Sequence, residues 1–416
     1  MASFGRVVGR DEGVGVPIRY MGTKRHMAQD VRTVVEELAP RGRVLDVFAG
    51  MGAVAEALSG CRSVVTNDAL TFTGAFARAR FTGATASVSI ADVLSMLRDP
   101  YREQVNRLSD LHRARLRDEQ AALDSGAKGL AAYMEAARHV ANSEDVRSQA
   151  ARAGGALDGD HYCLATLYFS AGYFGLRQSI QLDALRYAID RAACVGTQRD
   201  RLLAAWLTAA AVVINAPGHT AQFLKPNHDQ AASRIRRYWR RSIWDEFQTG
   251  LLTVKPIGTA AWRRSNAVTH SDALQLIASR SPRGIGAIYA DPPFTKDQYS
   301  RYYHVYETLY RYDFPDAHGA GRVRGDRFTT DFCLKSAVQN AFERLFESVA
   351  ARNVPLVLSY PSNGLLTQAG SSVEAVASGR LRIVKHTSLT ARHSTMGASS
   401  GATKKDATEN LYVCVA

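Results

Sequence analysis

The sequence predicts an α/β protein built on a doubly wound, seven-stranded sheet, with a C-terminal antiparallel hairpin and an inserted helical domain. Three observations point there. Short apolar runs alternate with helical periodicity at both ends of the 416-residue chain, the pattern of strands joined by crossover helices. Between residues 96 and 254 the strand signal vanishes and the periodicity is helical. Two of the apolar runs end in turns built from glycine or proline.

Taken in order, Arg43-Val-Leu-Asp-Val-Phe48 reads as a strand entering a glycine turn, and Ala53–Leu58 starts the helix after it. Ser63–Thr66 is a second strand, ending at Asn67-Asp68. Ala131–Val140, Leu164–Ile189, Leu202–Ile214 and Ala231–Leu251 carry the helical pattern of the insert. Strands resume at Ala267–Thr269, Ile285–Tyr289, Val354–Ser359, Leu381–Lys385 and Leu411–Val415. A loop, not a helix, joins the last two, which predicts the hairpin. Within it His393–Lys405 is small, polar and basic, and is expected to be a mobile loop. Residues 1–95 and 255–416 then form one discontinuous domain and residues 96–254 the insert. No internal repeat is visible.

Composition bounds the function. With 46% hydrophobic and 22% charged residues, wholesale disorder is excluded. The 52 Lys+Arg against 39 Asp+Glu leave a charge of +13, which favours an anionic partner such as nucleic acid. Cys61, Cys163, Cys194, Cys333 and Cys414 are scattered, without a C-x-x-C pair, so neither a disulfide framework nor a zinc site is expected. Met1–Val16 lacks the apolar core of a signal peptide, and Leu202–Ile214 is too short to span a membrane. A soluble, cytoplasmic protein without a metal is the expectation.

The strongest single signal is Asp291-Pro292-Pro293-Phe294, directly after the apolar run Ile285–Tyr289. Two prolines stop a strand and stiffen the turn, at the carboxyl end of a sheet where open α/β folds place ligands. A carboxylate and a carbonyl held beside an aromatic ring suit a planar base bearing an exocyclic amine. The competing reading is a proline turn with a helix-capping aspartate. The second signal is Asp46-Val-Phe48-Ala-Gly50-Met-Gly52, where glycines let backbone approach a ligand at a helix N-terminus. It is not the dinucleotide fingerprint, since Val54 or Ala55 stands where the third glycine belongs. Asp68, at the end of the next strand, is placed either to bind ribose hydroxyls or to cap a helix.

D-x-F-x-G-x-G, then N-D, then D-P-P-F resembles the AdoMet-dependent DNA adenine-N6 methyltransferases of the Dam-like type. Arg19-Tyr20-Met-Gly22-Thr-Lys24 is similar to that family's amino-terminal AdoMet motif. The resemblance covers residues 17–95 and 265–416. It implies that S-adenosylmethionine (AdoMet) is held by Tyr20, Gly22, Lys24, Asp46, Phe48, Gly50, Gly52 and Asp68, with Asp272 near its adenine; the alternative for Asp272 is a helix cap. It implies that Asp291, Pro292, Pro293 and Phe294 hold an adenine flipped from duplex DNA. The amine's lone pair is delocalised into the ring. Asp291 and the Pro292 carbonyl would localise it for direct in-line transfer. Phe294 stands where tyrosine is commoner. Short pieces of the insert, Tyr173–Gln178, Leu182–Arg186 and Asn215–His219, resemble a larger phage- and plasmid-type branch, a setting that admits a cognate restriction system.

DNA contacts are expected from the insert. Arg234-Ile-Arg236-Arg237-Tyr-Trp-Arg240-Arg241 mixes cations with aromatics as phosphate-tracking surfaces do; a solvated helix face is the alternative. Tyr299, Tyr302, Tyr303, Tyr306 and Tyr310 fall on one helical face, a packed aromatic face first, with Tyr302, Tyr303 or His304 as candidates to line a flipped-base pocket. The competing function classes are an RNA methyltransferase, acting on rRNA guanine-N2 or on adenine, and a catalytically silent DNA-binding relative.

Overall fold

The computed structural model describes Ile18, Tyr20 and residues 23–38, 41–83, 89–141, 144–156, 158–393 and 405–416. Met1–Val16, Gly22 and residues 394–404 of the expected mobile loop lie outside the described residues.

Among the described residues there are nine strands: β1 Arg43–Asp46, β2 Val64–Asp68, β3 Ala267–His270, β4 Ile285–Ala290, β5 Ala317–His318, β6 Val323–Arg324, β7 Leu356–Pro361, β8 Arg382–His393 and β9 Lys405–Val415. Seven form the sheet, in the order β3-β2-β1-β4-β7-β9-β8; β5 and β6 make a separate two-residue ladder. The strands from β3 to β7 are mutually parallel. β9 runs antiparallel between β7 and β8, so the terminal hairpin is as expected. It is longer than the hydropathy indicates because its outer half is polar: Ser388 donates to Asn410 at 2.8 Å, and His386 stacks on Tyr412 at 4.5 Å.

Both faces of the sheet are covered, as parallel strands require. Val44, Val64, Ala287 and Val357 face the helix Ala28–Leu38, packing on Val31 and Val35. The alternate residues Leu45, Val65, Ile288 and Leu358 pack on Phe342, Leu345 and Val349 of the helix Val338–Arg352. Period-two alternation within each strand thus serves two layers.

The helical insert corrects the sequence reading in two respects. Its first helix, Ile90–Leu111, runs across the expected boundary at residue 95. Nor does the insert have a core of its own at its main contact. Leu182, Leu203, Trp206 and Leu207 share one cluster with Phe72 and Phe76 of the helix Thr71–Phe81 and with Tyr303, Tyr306 and Leu309 beyond the proline motif. The run Leu202–Ile214 belongs to the buried helix Gly196–Val213, whose Trp206 donates its indole N–H to the Leu182 carbonyl. Among the described residues no helix is long and apolar enough to cross a membrane.

Candidate active site

Strand order reverses at β1, between β2 and β4, and there three acids meet: Asp46 ends β1, Asp68 ends β2, and Asp291 follows β4. All three line one cleft, with Tyr20, Lys24, Phe48, Gly50, Asp272, Pro293 and Tyr299.

The glycine turn after β1 is held by its neighbours. The Val47 N–H bonds the Tyr289 carbonyl, and the Ala49 N–H bonds the Asn67 carbonyl. Gly50 (φ +50°) and Gly52 (φ +78°) lie in the left-handed region. A Cβ on Gly50 would stand 2.7 Å from Cε1 of Tyr20, and one on Gly52 2.3 Å from Cε2 of Phe81. Asp68 ties this turn to the next: its Oδ2 accepts from the Gly50 N–H at 2.9 Å and its Oδ1 from the Leu70 N–H at 2.8 Å. Burial lifts its pKa to about 6 against those two hydrogen bonds.

Asp46 is 2% exposed, and its Oδ1 has no hydrogen-bond partner. Burial pushes its pKa well above the usual carboxylate range, helped by the nearby charges of Asp291 and Asp68. A buried acceptor without a donor costs about 1–3 kcal/mol. It is therefore a position where a donor or a cation would be welcomed.

Lys24 is 3% exposed. Its ammonium lies 3.0 Å from Oδ1 of Asp291 and 3.2 Å from Oε1 of Glu409, itself fully buried. Burial lowers the lysine pKa, but the two carboxylates outweigh it and the net shift is upward, so Lys24 is charged. The Asp291 pKa rises to about 7, through burial, against the pull of Lys24 and with the push of Glu409. Phe294 lies beside the cleft instead of lining it, packed against the core on the Val338–Arg352 side, with Nζ of Lys24 5.4 Å from its ring centroid. Pro292 is buried and likewise absent from the lining. Asp272 lines the cleft while its Oδ1 caps the helix Ala273–Ala278 through the Gln275 N–H, so both readings of this residue are met in part.

The tyrosine-rich run divides. Tyr20 stacks on Tyr303 at 4.6 Å and 7°. Tyr303 is fully buried and supports Tyr20 from behind, so it has no face to offer DNA. Tyr302 is half-buried and stacks on His219 at 4.7 Å; His304 is buried, its pKa pushed down to about 3 by burial, and neutral. Glu307, which sequence reasoning passed over, accepts from the Thr71 N–H and hydroxyl and from the Phe72 N–H. It caps a helix whose own N-cap, Leu70, has no side-chain acceptor. Glu409 was missed too: a lone acid in a polar stretch carries no signal.

The arginine row is partly exposed, at Arg237 and Arg240, and is also engaged in bonds within the protein. Arg236 donates to the Ser125 carbonyl, Arg240 pairs with Asp124 at 2.7 Å, Arg241 pairs with Glu246 at 2.7 Å, and Arg237 lies over the Tyr238 ring. These bonds stitch the helix Asp229–Trp239 to its neighbours. By contrast, Lys296 and Arg301, which flank the cleft-lining Gln298–Ser300 in sequence, are exposed. Half-buried Arg327 reaches the Ser300 hydroxyl at 3.4 Å. Among the described residues no group of His, Cys, Asp or Glu could hold a metal.

No protein-family model matches the chain. Curated relatives do. Type II methyltransferase M.FokI of Planomicrobium okeanokoites is 32% identical over 127 residues, 30% of this chain and 19% of that protein. Modification methylase LlaI of Lactococcus lactis subsp. lactis is 22% identical over 355 residues, 84% of this chain and 47% of that protein. The chain thus spans less than half the length of either relative.

Proposed function

We propose that this cleft binds AdoMet and that the protein transfers a methyl group to the exocyclic amine of an adenine turned out of duplex DNA, forming N6-methyladenine. The observation that carries this reading is the Asp291 carboxylate. Two prolines root it at the end of β4, and one oxygen is tied to Lys24. Burial raises its pKa to about 7, so its ionised form is a stronger hydrogen-bond acceptor than an ordinary carboxylate.

The residues present fit the cofactor. Asp46 offers an acceptor that lacks a donor, which an α-ammonium group would supply. Asp68 keeps lone pairs for ribose hydroxyls after accepting two N–H groups. Gly50 and Gly52 let the backbone form the cleft wall, with Phe48, Tyr20 and Asp272 around it. Lys24 serves Asp291, because its ammonium bonds go to two carboxylates. When bound, AdoMet supplies a methyl group on a sulfonium, ready for displacement. Asp291 would accept an amine hydrogen and draw the lone pair out of conjugation; the Pro292 carbonyl and the Phe294 ring, which do not line the AdoMet cleft, would meet the flipped base where it enters beside that cleft. Among the described residues no cysteine lines the cleft, and attack at a ring carbon has no nucleophile there.

The names of the two relatives support DNA as the substrate and a restriction–modification setting, hence a bacterial cytoplasm and a cognate restriction partner. Phosphate contacts would fall to Lys296, Arg301 and Arg327, next in sequence to the cleft-lining Gln298–Ser300 and Phe328, ahead of the arginines engaged within the insert. Labelled methyl transfer from AdoMet to unmodified duplex DNA tests the reading: wild type labels DNA, and Asp291→Ala binds it equally without labelling. Wild-type rates in Asp291→Ala would remove the assignment, and label confined to RNA would replace the substrate.

A further inference from the structure

We propose that Glu409, on the C-terminal hairpin and outside the cleft, is a positioning residue that acts on Asp291 through Lys24. The inference rests on the methyl-transfer reading above. Glu409 is fully buried on β9, opposite Pro361 of β7, and its Oε1 accepts from the Lys24 ammonium at 3.2 Å. Its Oε2 is 3.5 Å from the Ser359 hydroxyl. The same ammonium reaches Asp291 at 3.0 Å. A buried carboxylate and a half-buried one thus share one buried cation, an arrangement that is costly for folding and that a single lysine–aspartate pair would avoid.

The second carboxylate does two things for the first. It anchors the ammonium to the sheet, so that Lys24 cannot swing across Asp291 and occupy the oxygen meant for the amine. Its charge also opposes that of Lys24, so that Asp291 stays a strong acceptor. The other groups facing Asp291 are Asp46, Tyr20, Tyr289 and Tyr299. Burial pushes all three tyrosines well above their ordinary value, so they are neutral. Asp46 is likewise shifted toward its neutral form by burial. The charge balance at Asp291 is therefore set by Lys24 and Glu409.

The test is the pH profile of single-turnover methyl transfer at saturating AdoMet and DNA. In Glu409→Gln, Lys24 acts unopposed. The acid limb moves down by about one pH unit and the plateau falls about three- to tenfold, with AdoMet and DNA affinities unchanged. Glu409→Asp keeps the charge and keeps the limb near its wild-type position. If Glu409→Gln does not fold, the comparison is made in Lys24→Met, where adding Glu409→Gln leaves the plateau where Lys24→Met alone puts it, because the cation that links the two carboxylates is gone; a further fall in the plateau there would overturn the proposal. A Glu409→Gln enzyme that melts earlier but keeps its limb and plateau has lost a merely structural contact, and the proposal is overturned. A wild type that methylates no nucleic acid removes the underlying reading, which distinguishes the two failures.

Discussion

Replacing Lys24 with methionine removes the cation between Asp291 and Glu409, at 3.0 and 3.2 Å, and leaves a half-buried and a buried carboxylate facing each other. Breaking a buried pair by deleting one partner costs about 3–5 kcal/mol, and that is the loss expected at pH 8. The loss depends on pH, with a sign fixed by linkage. Asp291 has a folded pKa near 7 against an ordinary 3.8. Between those values the native state binds more protons than the unfolded chain, and stability falls as pH rises. In Lys24→Met the folded value moves higher, because burial then acts without an opposing cation, so the upper edge of this window moves above 7. The difference between variant and wild type should therefore widen from pH 7 to 9, by up to about 1.4 kcal/mol per unit, and narrow below 7. Adding Glu409→Gln should recover part of it. Urea unfolding of the three proteins at pH 6, 7, 8 and 9 measures this. A pH-independent difference, or one below about 1 kcal/mol, would show that the cluster is not the coupled buried unit described.

Three further outcomes follow from the geometry. Asp46→Asn replaces a buried carboxyl that has an unpaired oxygen with a neutral amide; it should keep the melting temperature near that of wild type while weakening AdoMet binding about tenfold or more, read by thermal melts and calorimetry. Gly52→Ala forces a φ of +78° on a residue with a Cβ and drives that atom to 2.3 Å from Phe81. Denaturant titration should show a loss of about 2–5 kcal/mol. Lys296→Ala, Arg301→Ala and Arg327→Ala should each flatten the log–log salt dependence of DNA binding by about 0.9. Arg236→Ala and Arg240→Ala should leave that slope alone and lower the melting temperature, because their guanidinium groups hold Ser125 and Asp124.

The sheet was legible where apolar runs end at residues with special geometry. The runs at Arg43, Ser63 and Ile285 terminate at glycine, Asn-Asp and Asp-Pro-Pro, and β1, β2 and β4 lie there with three acids at their ends. The hairpin was read short because cross-strand contacts such as Ser388–Asn410 join polar residues that carry no hydropathy signal. The internal bonds of the arginine row were hidden for a related reason. Asp124 and Ser125 lie more than a hundred positions upstream of Arg236 and Arg240, so periodicity sees the cations and not what they hold. Glu409 lies 385 positions from Lys24 and was invisible until the fold closed. The shared core of insert and sheet domain has the same origin, since Trp206 and Phe72 meet only in three dimensions.

The central claim is that Asp291 activates an adenine amine, and the most direct measurement is mass spectrometry of nucleosides digested from the DNA of methylation-free cells expressing the chain. The account predicts N6-methyladenine as the new base with wild type and its absence with Asp291→Ala. N4-methylcytosine would contradict the choice of base, because that amine could use the same acceptors. N6-methyladenine at full level from Asp291→Ala cells would contradict the mechanism itself.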